Sequence, residues 1–243
     1  MNTHDHSMMH IEVWSDILCP FCFIGKRKFE AALAQFADKD KVKLVWKSFQ
    51  LDPNLGDNEA VDYQQHVQNK KGWTAAQTAD IMQHVSQRAE AVGIRFNLEK
   101  AVMANSLKAH CLSHYALEQG KQNEIEEALF SAHFSEGKNI ADPETLGKIA
   151  GSVGLSYNDV IEAINDPKYI KLVATDIREA EQLGISGVPF FVFDRKYAVS
   201  GAQEPSLFLQ TMTKAFADWS AKNKMEVIPD TDGPMCKADG TCD

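Results

Sequence analysis

The run Cys19-Pro20-Phe21-Cys22 restricts the fold more than any other stretch of this chain, because of what stands on either side of it. Residues Ile11 to Ser15 alternate apolar and polar and include β-branched and aromatic members, the pattern of a strand. From Pro20 the period changes, and Phe29, Ala32, Leu33 and Phe36 recur at helical spacing. Proline at the first helical position costs no hydrogen bond, since the N–H there has no partner in any case. A second alternating run, Val42 to Phe49, predicts another strand. The chain therefore opens as strand, cysteine pair, helix, strand.

A cysteine at the start of a helix lies where unpaired N–H groups gather partial positive charge. That position stabilises a thiolate and predicts a Cys19 pKa below the ordinary value of about 8.5. The thiolate attacks a disulfide, and Cys22, one turn on, resolves the mixed disulfide that forms. Cys-x-x-Cys is also half of many zinc sites. A zinc protein would recruit Cys19, Cys22, Cys236 and Cys242 as four ligands. The strand before, the helix after and the proline between favour redox chemistry over a metal site.

The stretch 53–184 reads as helical throughout. Thr74 and Gln77 form a capping box, Asp142-Pro143 and Asp166-Pro167 each place an N-cap before a proline, and Ser156 with Asp159 marks another start. Gly184 closes the helix that begins near Pro167. Strand chemistry returns at Pro189 to Phe193, followed by a turn at Asp194-Arg195-Lys196 and a second strand from Tyr197 to Gly201. A last helix starts near Pro205, with Leu209, Met212, Phe216 and Trp219 on one face. The expected fold class is α/β: a thioredoxin-like fold interrupted by a large all-helical insertion domain. Its segments are 9–52 (βαβ), 53–184 (helical insertion), 185–224 (ββα) and a flexible tail, 225–243.

In such a fold the proline that opens the returning strand, Pro189, is a cis-proline facing the cysteine pair. It leaves the Val188 backbone free to pair with an extended substrate. An ordinary edge-strand proline is the alternative. In the tail, Cys236 and Cys242 flank an Asp239-Gly240 turn and are expected to form an accessory redox pair that exchanges with Cys19 and Cys22. Cys111 stands alone in a helix and reads as a buried apolar residue. His4, His6 and His10 are scattered histidines without metal-site spacing.

With 243 residues, 44% hydrophobic, the chain can bury a core without staples. The net charge of -9 argues against nucleic acid and anionic membrane as partners. No run approaches the roughly 18 apolar residues of a membrane span. Met1 to Ser7 lacks the basic start and apolar stretch of a signal peptide, so a cytoplasmic location is expected. There, close cysteine pairs suggest redox work before structural disulfides.

Three segments carry a family resemblance: Ser15 to Cys22, Gly187-Val188-Pro189-Phe190-Phe191, and Ser200-Gly201-Ala202-Gln203. Together they resemble the DsbA-like oxidoreductases, and within them the FrnE branch, over roughly residues 9–220. The resemblance implies disulfide-bearing client proteins as substrates and no organic cofactor; a small thiol or a thioredoxin-type protein is the candidate electron donor. It implies Cys19, Cys22 and Pro189 as catalytic residues. Related members include glutathione-dependent 2-hydroxychromene-2-carboxylate isomerases, which the stretch Asn105 to Cys111 resembles. The match departs at Ser106 and Cys111, and those isomerases carry serine where Cys19 stands. Pro20, Phe21, Val188, Asn105 and His110 are the expected substrate contacts; an N-cap role for Asn105 and a satisfied helix position for His110 are the alternatives. Phe21 offers the sulfur neither a hydrogen bond nor a charge. A potential between about -120 and -270 mV follows, against a cytosol at roughly -220 to -320 mV. The pair would rest reduced and act as a reductase or isomerase of disulfides formed under oxidative stress.

Overall fold

A computed structural model of the protein describes residues 7–56 and 60–222. The chain opens with β1 (Met9–Ser15), α1 (Pro20–Gln35) and β2 (Val42–Ser48). The two strands pair parallel, with Val13 opposite Trp46, and α1 supplies the crossover that a parallel pair requires. The chain then leaves the sheet for β3 (Val61–Asp62), α2 (Tyr63–Lys71), α3 (Ala75–Glu90), β4 (Val102–Met103), α4 (Leu107–Glu118), α5 (Gln122–Phe134), α6 (Pro143–Ser152), α7 (Tyr157–Ala163) and α8 (Pro167–Gln182). It returns as β5 (Phe190–Phe193), β6 (Tyr197–Ser200) and α9 (Pro205–Lys222). The sheet order is β2-β1-β5-β6, with β5 antiparallel to β1 and β6 antiparallel to β5. This is the expected α/β fold, with the returning half completing a sheet that the first half began.

The helix starts follow from local chemistry. Thr74 and Gln77 close a capping box, Asp142 accepts from the Thr145 N–H at 2.8 Å, and Asp166 accepts from the Lys168 N–H at 2.8 Å. Ser156 caps α7 without a side-chain hydrogen bond. The insertion is not helical throughout: β3 and β4 form a two-stranded ribbon, Val61 opposite Met103. On α9 the buried seam is Phe208, Met212 and Ala215, with Phe216 and Trp219 half-buried beside it.

Both faces of β1 are covered. Ile11 and Val13 join Phe29, Phe191 and Phe208 in the larger core, where the Phe29 and Phe208 rings meet edge to face at 5.8 Å. Trp14 faces the other way, packs near Ala180 and donates its indole N–H to the Asp176 carbonyl at 3.0 Å. So α8, the last helix of the 53–184 stretch, covers the second face of the sheet. The free edge of β2 is blunted by side chains: the Gln122 carboxamide accepts from the Trp46 N–H and donates to the Trp46 carbonyl, both at 2.9 Å. The β5–β6 turn places Asp194 and Arg195 in the left-handed region, at φ 47° and 53°, and Arg195 pairs there with Glu12 and Glu179. Among the described residues no helix is long and apolar enough to cross a membrane.

Candidate active site

β1 ends at Ser15, and the Cys19 N–H donates to the Asp16 carbonyl at 2.9 Å, a turn that sets Cys19 at the N-cap of α1. Pro20 follows as the first helical residue. Cys19 is 5% exposed and Cys22 is fully buried. Both are free thiols. The Cys19 thiol points at the Val188 carbonyl, with Sγ 3.5 Å from the oxygen. The Val188–Pro189 peptide is cis. The Pro189 ring lies directly on α1: a Cβ added to Gly25 would stand 3.0 Å from Pro189 Cγ. Cys19, Cys22, Val188 and Pro189, 170 residues apart at their extremes, are therefore brought together at one site.

Burial pushes the Cys22 pKa well above the ordinary thiol value, and the hydrogen bond and charge of Cys19 push it further. The Ser15 hydroxyl and the Asp16 backbone pull weakly the other way. Of the pair, Cys19 is thus the sulfur that touches solvent and Cys22 the one held protonated.

Beneath the motif lies a buried polar layer. Asp16 is inaccessible; its carboxylate accepts from the Leu51 N–H at 2.7 Å and the Leu18 N–H at 3.3 Å. His110 Nε2 stands 3.4 Å from the same carboxylate. Burial alone would lower the His110 pKa, but Asp16, with Glu126 and the Phe49 backbone behind it, raises it. Burial raises Glu126, against the hydroxyl of Ser113, which donates at 2.6 Å. Burial lowers His133 to about 4, although it too faces the Asp16 charge. Neither His133 nitrogen has a partner among the described residues.

Two of the expected substrate contacts do not reach the surface. His110 is 2% exposed and faces Asp16. Asn105 is 8% exposed, and its carboxamide is taken up by the protein: it donates to the Leu55 carbonyl at 2.6 Å and accepts from the Leu107 N–H at 2.9 Å. Its role is to tie the start of α4 to the segment after β2. Phe21 does reach the surface, under the guanidinium of Arg88. Pro20 and Leu18 line a recess of about 270 Å3, with Tyr63, Val67 and Met103 opposite. Burial raises the Tyr63 pKa, and the Cys19 charge raises it further. Cys111 is fully buried, as expected. Cys236, Cys242, His4 and His6 lie outside the described residues. Among the described residues no cluster of histidine, cysteine and carboxylate is arranged to hold a metal.

Sequence reasoning overlooked Asp16, Glu126 and His133 as members of this layer. Asp16 was visible as a charge at the end of an apolar strand. Glu126 and His133 are seven residues apart, hence on one helix face, among Ile125, Leu129, Phe130 and Phe134. Charge inside that apolar run was the available signal.

The model of the DSBA-like thioredoxin domain matches residues 10–213. The chain belongs to the DsbA-like family. As a DsbA-like protein it is 30% identical, over 192 residues, to the uncharacterized protein YwbO of Bacillus subtilis, covering 76% of this chain and 86% of that one. It is 34% identical to the crystal structure of a probable DsbA oxidoreductase from Streptomyces coelicolor, with a TM-score of 0.82 over 97% of this chain and 98% of the other. The cytosolic disulfide reductase DsbM from Pseudomonas aeruginosa shares the fold, at TM-score 0.59 and 16% identity over 88% of this chain and 98% of its own. The DsbA-like family and fold expected from the motifs are thereby established.

Proposed function

We propose that this DsbA-like protein is a thiol–disulfide oxidoreductase of protein disulfides, with Cys19 as nucleophile and Cys22 as resolving thiol. The observation that carries the reading is the arrangement at α1: a slightly exposed Cys19 at the N-cap, a buried Cys22 one turn on, and the Val188 carbonyl 3.5 Å from the outer sulfur. The helix N-terminus favours negative charge on Cys19. Its thiolate attacks one sulfur of a client disulfide; a Cys19–client disulfide forms and the other client sulfur leaves as a thiolate. That step removes the charge on Cys19, which is one of the causes that hold Cys22 protonated. Cys22 then loses its proton and attacks Cys19 Sγ. The enzyme is left with a Cys19–Cys22 disulfide and the client with two thiols, two electrons having passed to the client. A small thiol or thioredoxin-type donor returns the pair to the reduced state. Pro189 and Val188 hold the client backbone beside the sulfur, and Pro20 and Phe21 form the floor on either side.

The division of labour is testable by trapping. Cys22→Ser should accumulate mixed disulfides through Cys19 and lose insulin reduction. Cys19→Ser should be inactive and trap nothing. Full insulin reduction by Cys22→Ser would remove the dithiol mechanism and leave a monothiol, glutathione-type route.

A further inference from the structure

A cleft of about 680 Å3 opens beside the cysteine motif, between α1, the end of α3 and the loop that leads into α9. Along α1 its wall runs from Phe21 to Ala31. Ten helical residues span about 15 Å, the length of four or five residues of extended chain at about 3.3 Å each. Ile24, Val92 and Pro205 supply apolar lining. The charges in the wall are mostly neutralised: Arg27 is paired with Glu30 and Glu127, and Lys28 with Glu204. Arg88 differs. Its guanidinium carbon stands 5.8 Å from the centre of the Phe21 ring, and among the described residues no carboxylate lies within ion-pair distance of it. A guanidinium stacked on an aromatic face keeps its N–H edge free for a planar anion. Arg88 also lies in the last turn of α3, where the helix dipole favours a cation. The dipole accounts for a cation at that end of the helix but not for its seat on a residue of the cysteine motif. In a chain of net charge -9, a cation with no ion-pair partner among the described residues thus rests on the ring of a cysteine-motif residue.

We infer that this cleft takes the extended client segment flanking the half-cystine, and that Arg88 selects clients carrying a carboxylate within two or three residues of that half-cystine. The inference rests on the thiol–disulfide reading above and names its substrate preference. Phe21, the aromatic residue of the motif, is the platform that aims Arg88.

The test uses the full chain and three peptides, each carrying one cysteine as its mixed disulfide with neutral 2-thiopyridine. They differ only in Glu, Gln or Lys two residues from that cysteine. Release of pyridine-2-thione by the pre-reduced protein, followed over a single turnover, gives the second-order rate constant for each peptide. For the wild-type protein the Glu peptide should exceed the Lys peptide by about three- to tenfold, a preference that shrinks with added salt. Arg88→Gln should bring the ratio close to one, and Arg88→Glu should invert it. Because each ratio is taken within one variant, a loss of overall activity does not disturb it. A wild-type ratio near one, or a ratio unchanged in both Arg88 variants, overturns the inference. Neutral 2,2'-dipyridyl disulfide separates the two readings: if the wild-type protein fails to consume it, the redox function itself is wrong.

Discussion

His133 and His110 face one buried carboxylate, Asp16, from adjacent helices; Asp16 raises the pKa of both, yet their net shifts run in opposite directions. For His133 burial wins, and the pKa falls to about 4. The unfolded chain then binds a proton near pH 6.5 that the folded chain refuses until about pH 4. Stability tied to His133 is complete above the unfolded value and is lost as pH falls through that window, by roughly 3 kcal/mol at most. His110, with its pKa raised, has the reverse sign: its contribution is complete below the unfolded value and fades as pH rises through the folded one. His133→Leu should therefore narrow the difference between urea midpoints at pH 7 and pH 5. Midpoints that shift with pH as much in the variant as in the wild type would clear His133 of the effect. At this scale the sequence displays groups whose setting is local. Cys19 and Cys22 are flanked by their own strand and helix. The surroundings of His133 come from Asp16, more than a hundred residues away, and no short-range pattern reports them.

Helix α1 is shaped at one position by what it must admit. Alanine at Gly25 would gain about 1 kcal/mol of helix propensity, yet its Cβ would meet Pro189 Cγ at 3.0 Å and Ala202 Cβ at 3.5 Å. The loop before β5 would have to give, carrying the Val188 carbonyl away from Cys19. Gly25→Ala should melt within a few degrees of the wild-type protein while insulin reduction falls on the order of tenfold. Wild-type turnover in that variant would mean that the Pro189 contact does not position the site. The elements themselves divide by the kind of signal that makes them. Helix starts at Thr74, Asp142 and Asp166 rest on a side chain bonding a backbone N–H two or three residues on, and are legible. The β3–β4 ribbon has two residues per strand, too few to show alternation. On α9 the expected face, Leu209, Met212, Phe216 and Trp219, does pack on the core, but its deepest residues are Phe208, Met212 and Ala215, because the sheet claims Phe208, which the periodicity passed over.

The insertion and the sheet share a continuous core. Phe130 of α5 lies at its seam, stacked on Phe23 of α1 at 5.1 Å and edge-on to Trp46 of β2 at 6.3 Å. Lys26 of α1, 2% exposed, reaches Glu127 of α5 at 2.8 Å beside it. Phe130→Ala should cost about 3–5 kcal/mol. Far-UV circular dichroism and alkylation of Cys22 should lose structure at the same urea concentration, since Phe23 adjoins Cys22. Two separate transitions would show that the insertion unfolds on its own. The two-part plan was legible because strand periodicity stops after Phe49 and resumes at Pro189. The placement of α8 on the second face of the sheet was not, because a helix stripe does not say which neighbour it meets.

That same interruption has a consequence during synthesis. About 140 residues separate the end of β2 from the start of β5, the strand that brings Val188 to Cys19. At roughly 5–20 residues per second, a ribosome needs on the order of 10–30 s to cross that gap. For that interval β1, α1 and β2 wait without their antiparallel neighbour. Cys19, Cys22 and then Cys111 are in the emerging chain before the Val188 carbonyl exists. Ribosome-bound chains halted near residue 150 should expose Cys22 to alkylation, whereas the finished protein buries it completely. A nascent chain made under oxidising conditions is thus open to a Cys19–Cys111 bond that the finished fold, with Cys111 sealed among Ala163, Tyr169 and Val173, no longer permits.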